Sequence, residues 1–347
     1  MRIIKLPTEF VRAIFFTDIH LTDDPPGRRH AGYREEVMGK VDFVSALTQE
    51  HQAVGLCGGD WGHSKNPRSA GNTFSMINRV IKSLFGFWQG RCYGVHGNHD
   101  LYMDRVESIP HQPIGTLISS GAFCDISLEP HEPEQPGSVI FENADGTVRV
   151  QVDAFTYTSD DMLALNRVLN AAPRHEGVTY RVVLLHQYGD PGDAPSMYGS
   201  PTIGFNRMAN SDYDLALWGH DHSRVEPMQV GNCMHVRLGS LSRASLAEDE
   251  VDRPINVAMF TFKPGKVSFK EIPIPVKPLE IAFTAADKPV EKVRDSDEVV
   301  SYFRQMDVAM DSIESTDIRV VLTQLATDEE GLTDKPVLDI ALDCCTV

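Results

Sequence analysis

Five short apolar runs rich in β-forming residues, at 13–17, 53–57, 91–95, 181–185 and 214–218, constrain this chain more than any other feature. Each stops abruptly at polar residues, as a core strand does at its end. Between the runs the apolar period changes. Val37, Val41, Val44 and Leu47 recur at three- and four-residue steps, as do Phe74, Ile77, Ile81, Leu84 and Phe85, with Gly90 as the expected stop. A third helix is expected from Ser159-Asp160, carrying Met162, Leu165, Val168 and Leu169 and closed by Pro173. Strands alternating with helices predict an α/β layered domain. One stretch, 138–155, departs from the alternation: Asp145-Gly146 between two alternating runs predicts a hairpin.

The residues just after each run are more informative than the run itself. The first run leads to Asp18-Ile19-His20, the second to Asp60 and the third to Asn98-His99-Asp100. The fourth leads to His186, and the fifth to His220-Asp221-His222. In open α/β sheets ligands bind beyond the carboxyl ends of strands, so these tips are expected to converge. Two aspartates, an asparagine and several histidines form a mixed oxygen and nitrogen set. Such a set suits Mn²⁺, Fe²⁺ or Zn²⁺ better than Ca²⁺ or Mg²⁺. On an extended backbone, residues i and i+2 point to one side, so Asp-x-His and His-x-His would each aim two side chains at one cluster. Taken singly, each motif has a plainer reading. A lone histidine after an apolar run is more often hydrogen-bonded structure, the role expected of His96 and His235. Five tips in this order require a shared site.

Composition narrows the class. The formal net charge of −17 disfavours a nonspecific nucleic-acid coat, yet leaves room for a locally positive, metal-filled cleft. No basic-then-apolar signal opens the sequence and no run is long enough to cross a bilayer, so the expected location is cytoplasmic, without membrane contact. Cys57, Cys92 and Cys124 sit in or beside apolar runs and read as small reduced hydrophobes, while Cys344-Cys345 has no metal-site spacing.

The ordered set Asp-x-His, Gly-Asp, Gly-Asn-His-Asp, His and Gly-His-x-His resembles the calcineurin-like metallophosphoesterases, and every element is present. The resemblance implies an α/β fold: a two-sheet metallophosphoesterase sandwich flanked by helices, with two divalent metals, most simply Mn²⁺, at the strand tips. By position Asp18, His20 and His222 would hold one metal, Asn98, His186 and His220 the other, and Asp60 would bridge them. His99 would act beside the pair on the phosphorane or the leaving oxygen, without ligation.

Within that superfamily the linkers discriminate. GGDWGHSKNP lacks the Tyr/Phe-Val-Asp-Arg-Gly of the serine/threonine phosphatases and the tyrosine ligand of purple acid phosphatases. It is similar instead to the Gly-Asp-x-Phe-His/Asp-x-Ser-x-Pro motif of SbcD-type double-strand-break repair nucleases, with His63, Ser64 and Pro67 in register and Gly62 replacing a bulkier residue. The resemblance implies that His63 helps to orient DNA; its plainer reading is a solvated loop histidine. The stretch from His235 to Arg243 is similar to the same family's Gly-Ser-x-x-Arg turn. After the proline-rich crossing at Pro273, Pro275 and Pro278, the resemblance divides the chain into a nuclease domain, 1–278, and a small α+β capping domain, 279–347. Ser296 would start the cap's helix, followed by two strand-like runs. SbcD-type subunits continue into helices that grip an SbcC-type ATPase; this chain reaches Val347 without them, leaving contact through the phosphoesterase domain. A homodimer stays open.

One loop is a candidate nucleic-acid contact and another a candidate rim. DDPPGRRHAGYR offers Arg28, Arg29, Arg34 and Tyr33 to a nucleic-acid backbone or base, against the plainer reading of a solvated turn. QYGDPGDAPSMYGSP after His186 is a candidate rim. The expectation is a Mn²⁺-dependent DNA exo- or endonuclease. The alternatives are a phosphatase or phosphodiesterase for a small nucleotide, metabolite or lipid-linked phosphate, and a DNA-end-binding scaffold, against which the complete ligand set argues.

Overall fold

The computed structural model describes residues 1–131, 135–192, 202–246 and 252–284. The chain opens with β1 (Arg2–Lys5) and β2 (Val11–Phe16), then α1 (Tyr33–His51), β3 (Val54–Cys57), α2 (Phe74–Phe85), β4 (Cys92–Gly94), α3 (Pro113–Ser119) and β5 (Phe123–Asp125). The hairpin of β6 (Gly137–Glu142) and β7 (Arg149–Phe155) comes next, then α4 (Asp161–Leu169), β8 (Tyr180–His186), β9 (Tyr188–Asp190) and β10 (Thr202–Gly204). β11 (Leu215–Gly219), β12 (Val225–Val230), β13 (Cys233–Arg237), β14 (Asn256–Lys263) and β15 (Lys266–Pro273) complete the strands.

Two sheets carry the fold. One has the order β1-β6-β7-β8-β11-β13-β12, the other β15-β14-β2-β3-β4-β5, and β9 pairs separately with β10. The period-2 alternation of the predicted runs explains the layering. Ala13, Phe15, Val54 and Leu56 of one sheet and Val182, Leu184, Leu215 and Leu217 of the other share one buried cluster. Their neighbours face outward under helices. Ile14, Phe16 and Cys57 pack with α1 to α3, and Val183, Leu185, Ala216 and Trp218 with α4. Strands covered on both faces read as continuous apolar runs, which is why they stood out. Each fully buried Val, Leu, Ile or Phe contributes ~1.5–3 kcal/mol of transfer free energy. The result is the expected two-sheet α/β sandwich flanked by helices.

Register levels the strand ends. Phe16 pairs with Cys57 and Cys57 with Gly94, so the segments after β2, β3 and β4 leave at one height. In the other sheet Gly219 pairs with His186. The two rows of tips meet backbone to backbone, because a Cβ at Gly219 would overlap the Gly58 carbonyl and stand 2.5 Å from Thr17 Oγ1. Glycine is required there by proximity.

Several local expectations shift. The Asp145-Gly146 turn forms, with Gly146 at φ 75° and Asp145 Oδ1 accepting from the Thr147 backbone N–H at 3.0 Å. In α2 the buried face is Met76, Ile77, Val80 and Leu84, while Phe74 is 85% exposed and Phe85 50%. Thr73 starts that helix by accepting from Met76 N–H, and Gly86, not Gly90, ends it. α4 is capped by Asp160, which accepts from Leu163 N–H at 2.9 Å; Leu165 and Val168 are buried and Leu169 is exposed. Residues 279–284 begin as a short helix (Leu279–Ala282), after which Phe283 is extended and forms a β-bridge with Arg29. The rest of the expected cap, with Ser296, the two strand-like runs and Cys344-Cys345, lies outside the described residues, as does most of the candidate rim after Asp190. Among the described residues no helix is long and apolar enough to cross a membrane.

Candidate metal centre

The five tips meet in one cluster. Asp18, His20, Asp60, Asn98 and His186 are buried, and His99, His220 and His222 half-buried. Ligand-type atoms lie within 4.8 Å of one another in three overlapping sets: Asp18, His20 and His222; His20, Asp60 and His99; Asp60, His186 and His220. Asp60 stands at the centre, its Oδ2 3.6 Å from His20 Nε2 and 3.3 Å from His186 Nε2. Asn98 Oδ1 lies 3.1 Å from His186 Nε2. The cluster therefore has two lobes joined by Asp60, one with Asp18, His20 and His222, the other with Asn98, His186 and His220.

The donor set fits divalent cations. His186 donates Nδ1–H to the Gly58 carbonyl at 2.7 Å, which turns its Nε2 toward Asp60, Asn98 and, at 3.3 Å, His220 Nδ1. In the other lobe His20 Nε2 stands 2.8 Å from His222 Nε2. Lone pairs and carboxylate oxygens thus converge in buried space, an arrangement that repels itself unless protons or cations lie between them. Burial raises the Asp60 carboxyl, but His186, then His20 and His99, outweigh it and hold the group well below the usual carboxylate range. Burial likewise pulls His186 down, and Asp60 overcomes this and pushes it up to about 9. Burial, reinforced by His222, holds His20 well below its ordinary value, and burial with His186 lowers His220 to about 2. Asp60 thus favours a positive charge on His186, a place that a divalent ion would take over from the proton.

The backbone achieves this differently from the sequence expectation. Asp18, His20, Asp60 and His220 all have left-handed φ, at 53°, 46°, 54° and 80°. Asp18 and His20 lie beyond the end of β2 and His220 beyond β11, so they do not converge by strand alternation. Tight left-handed turns aim them instead, at a cost of ~1–2 kcal/mol per β-carbon-bearing residue. Hydrogen bonds hold the turns: Asp18 N–H donates to Gly59 O, His20 N–H to Asp60 O, and His220 N–H to the Asp18 carboxylate at 3.1 Å.

His99 and His63 sit at the edge. His99 donates its backbone N–H to Asp60 Oδ1 at 2.8 Å and its Nδ1–H to the His63 carbonyl at 2.7 Å, leaving Nε2 for the cluster. The His63 ring stacks on His99 with centroids 6.2 Å apart and meets His20 edge-on at 5.7 Å. Burial, then His99, lowers His63 to about 4. His96 and His235 lie in the core, one on Asp125 at 2.7 Å, the other stacked on Phe205.

Sequence reasoning passed over several residues. Thr17 donates its hydroxyl to Asp18 Oδ2 at 2.6 Å. Asp100 accepts from Gly62 N–H and Gly97 N–H, both at 3.0 Å, and so fixes both ligand loops. Tyr157 and Tyr188, half-buried, set their rings 4.7 and 4.0 Å from His220. The fourth residue of Gly-Asn-His-Asp was the available signal for Asp100. In the other direction, the loop read as a nucleic-acid contact is largely withdrawn: Arg29 and Tyr33 are buried, and Arg34 pairs with Asp23 and Glu35, both at 2.7 Å.

No curated protein sequence matches the chain significantly. Among solved structures it is similar to the sulfate thiohydrolase SoxB of Thermus thermophilus, with TM-score 0.45 and 16% identity over 89% of this chain and 62% of that one. A 5'-nucleotidase precursor from Thermus thermophilus gives 0.43 and 12% over 87% and 60%. The NAD nucleotidase of Haemophilus influenzae gives 0.44 and 12% over 85% and 67%. The chain thus spans about three fifths of the length of the first two. The sequence profile of the calcineurin-like phosphoesterases matches residues 11–224, from the first residue of β2 to just beyond His222. With every predicted tip inside that span and gathered in one buried cluster, the chain belongs to the calcineurin-like phosphoesterase family.

Proposed function

We propose that this protein is a two-metal phosphodiesterase whose substrate is DNA, a nuclease of the SbcD type. The observation that carries the reading is the placement of His63. The GGDWGHSKNP segment, which carries the likeness to those nucleases, brings this histidine against both His20 and His99 at the edge of the cluster. In this reading His63 would meet a substrate strand whose phosphate lies at the cluster.

Each residue then has a role. Asp18, His20 and His222 would hold one divalent ion, Asn98, His186 and His220 the other, and Asp60 would serve both. Ions bound there, Mn²⁺ in this reading with Fe²⁺ or Zn²⁺ as substitutes, would supply neutralisation of phosphoryl charge and a more acidic water. Two divalent charges would exceed those of the two aspartates, so the loaded cleft would attract phosphate inside a protein of net charge −17. His99, its Nδ1–H fixed on the His63 carbonyl, presents Nε2 to the phosphorane or the leaving oxygen. The resemblance assigns contacts that steer the duplex to the part of the chain from 279 onward and contact with an SbcC-type ATPase to the phosphoesterase domain, with a second copy of the chain as the other candidate partner.

A second reading, a phosphatase or phosphodiesterase for nucleotide-sized substrates, is favoured by Tyr157 and Tyr188 flanking His220, a ready seat for a base. The two separate in one assay: single- and double-stranded DNA against small mono- and diesters, with Mn²⁺ and with Mg²⁺. Mn²⁺-dependent DNA cleavage far above small-ester turnover supports the nuclease; the reverse ranking overturns it.

A further inference from the structure

Two residues of the segment leading into α1, Arg29 and Tyr33, turn away from solvent. Tyr33, 1% exposed, donates its hydroxyl hydrogen to the carbonyl of His20 at 2.9 Å. That carbonyl belongs to one of the left-handed turns of the metal centre, with His20 at φ 46°. A turn in so costly a region stays in place only where its surroundings overdetermine it, and the Tyr33 hydroxyl is one such restraint.

Tyr33 is itself held from outside. The Arg29 guanidinium lies 4.9 Å from the Tyr33 ring centroid and 4.5 Å from that of Phe283, so one cation contacts both rings. Arg29 is 6% exposed and pairs through Nη2 with Glu36 at 2.5 Å, which fixes the plane of the fork. A desolvated cation–π contact of this kind is among the stronger ones. Backbone pairing extends the contact: His30 N–H donates to Ala282 O at 3.1 Å and Thr284 N–H to Arg28 O at 2.9 Å. Leu279, Ala282 and Phe283 pack with Leu246 in a small cluster of their own, separate from the main cores. Residues 279–284 thus form a strap seated on the loop that restrains His20.

We propose that Arg29 and Tyr33 are positioning residues which couple the seating of this strap to the placement of His20, so that the lobe of Asp18, His20 and His222 binds its ion tightly only when Phe283 is docked. The inference rests on the two-metal reading. The route is Phe283 ring, Arg29 guanidinium, Tyr33 ring and hydroxyl, His20 carbonyl. The Asn98 lobe lies off this route. Partners that orient a metal ligand change metal affinity by about 10–100-fold when removed.

The test is metal titration of the full-length protein, stripped of metal, with Co²⁺ followed by its visible absorption and Mn²⁺ by bound stoichiometry. The variants are Tyr33→Phe, Phe283→Ala and the conservative Phe283→Tyr. The expected result is that Tyr33→Phe and Phe283→Ala each weaken one of two ions at least tenfold, with an altered Co²⁺ spectrum, and leave the other unchanged. In those two variants turnover falls in kcat while KM holds, and Phe283→Tyr keeps wild-type metal binding and turnover. Tyr33→Phe removes one hydroxyl, so it carries the test alone should Phe283→Ala fail to fold. Wild-type affinity and spectrum in folded Tyr33→Phe overturns the coupling, as does equal weakening of both ions. Wild-type protein that binds no divalent ion overturns the two-metal reading, and the coupling with it.

Discussion

Gly97 precedes Asn98 with an extended backbone, φ −105° and ψ −178°, which alanine adopts without strain. The obstacle to Gly97→Ala is space alone. A Cβ there would overlap Asp60 Oδ1 and stand 2.5 Å from His186 Cε1 and Nε2, against ~3.5–4 Å for relaxed contacts. Relief requires a displacement of ~1 Å in one or both side chains, and neither is free to move. His186 is tied to the Gly58 carbonyl at 2.7 Å, and Asp60 Oδ1 to the His99 N–H at 2.8 Å. Overpacking of this kind costs ~1–3 kcal/mol, a loss of a few degrees in Tm for a domain of this size. Function should suffer more. Ligands misplaced by ~1 Å cost about 10²-fold in turnover. The assay compares melting temperature, bound metal and diester turnover with those of Gly121→Ala. Gly121 has φ 77° with nothing within 4 Å of its would-be Cβ, so that control meets backbone strain and no ligand. The expected pattern is similar melting losses, with metal and activity lost only in Gly97→Ala. Full metal occupancy and wild-type turnover in Gly97→Ala would refute the packing argument.

Three further outcomes rest on the same geometry. His99→Ala should retain both metals and lose rate by about 10²–10⁴-fold, as expected for an acid beside the ions; metal loss instead, measured by elemental analysis, would make His99 a ligand. Metal loading near pH 7.5 should release on the order of one proton, because Asp60 holds His186 at about 9 until an ion displaces its proton; titration in buffers of different ionisation enthalpy reads this, and no release contradicts it. Lys40, buried on α1 with Glu36 at 3.3 Å and the Leu241 carbonyl at 3.1 Å, is lowered by burial from 10.5 to about 8. Its folded value lies below its unfolded one, so its charge opposes folding below about pH 8 and that penalty fades as pH rises toward 10.5. The gap corresponds to about 3 kcal/mol at most, so the stability of Lys40→Met relative to wild type should fall between pH 7 and pH 10; a pH-independent difference in chemical denaturation would sink the point.

The strand tips were legible because a buried strand is the one place where an apolar run must stop dead at polar residues. The sheet order and the levelling of the tips come from pairing between distant segments, such as Gly219 with His186, which no local pattern encodes. Turn geometry was hidden for the same reason. Asp-x-His is compatible with a strand, and the left-handed φ of Asp18 and His20 depends on hydrogen bonds to Gly59 and Asp60, some 40 residues away. The α2 face was misjudged because Phe74 and Phe85 fit the period, yet the helix turns Met76 and Val80 to the core and exposes both phenylalanines. Arg29 and Tyr33 read as a basic, aromatic surface loop. Phe283, which covers them, lies 254 positions beyond Arg29.

In the reading proposed above, Asp60 is shared by two divalent ions in one phosphoesterase centre. Asp60→Asn keeps the shape of the side chain and the acceptor for His99 N–H while removing the charge that faces both His20 and His186. The decisive measurement is metal content per folded chain, by elemental analysis after equilibration with Mn²⁺, for wild type and Asp60→Asn. Two ions are expected in wild type and depletion of both in the variant, together with loss of turnover. Undiminished two-ion occupancy in folded Asp60→Asn would contradict it.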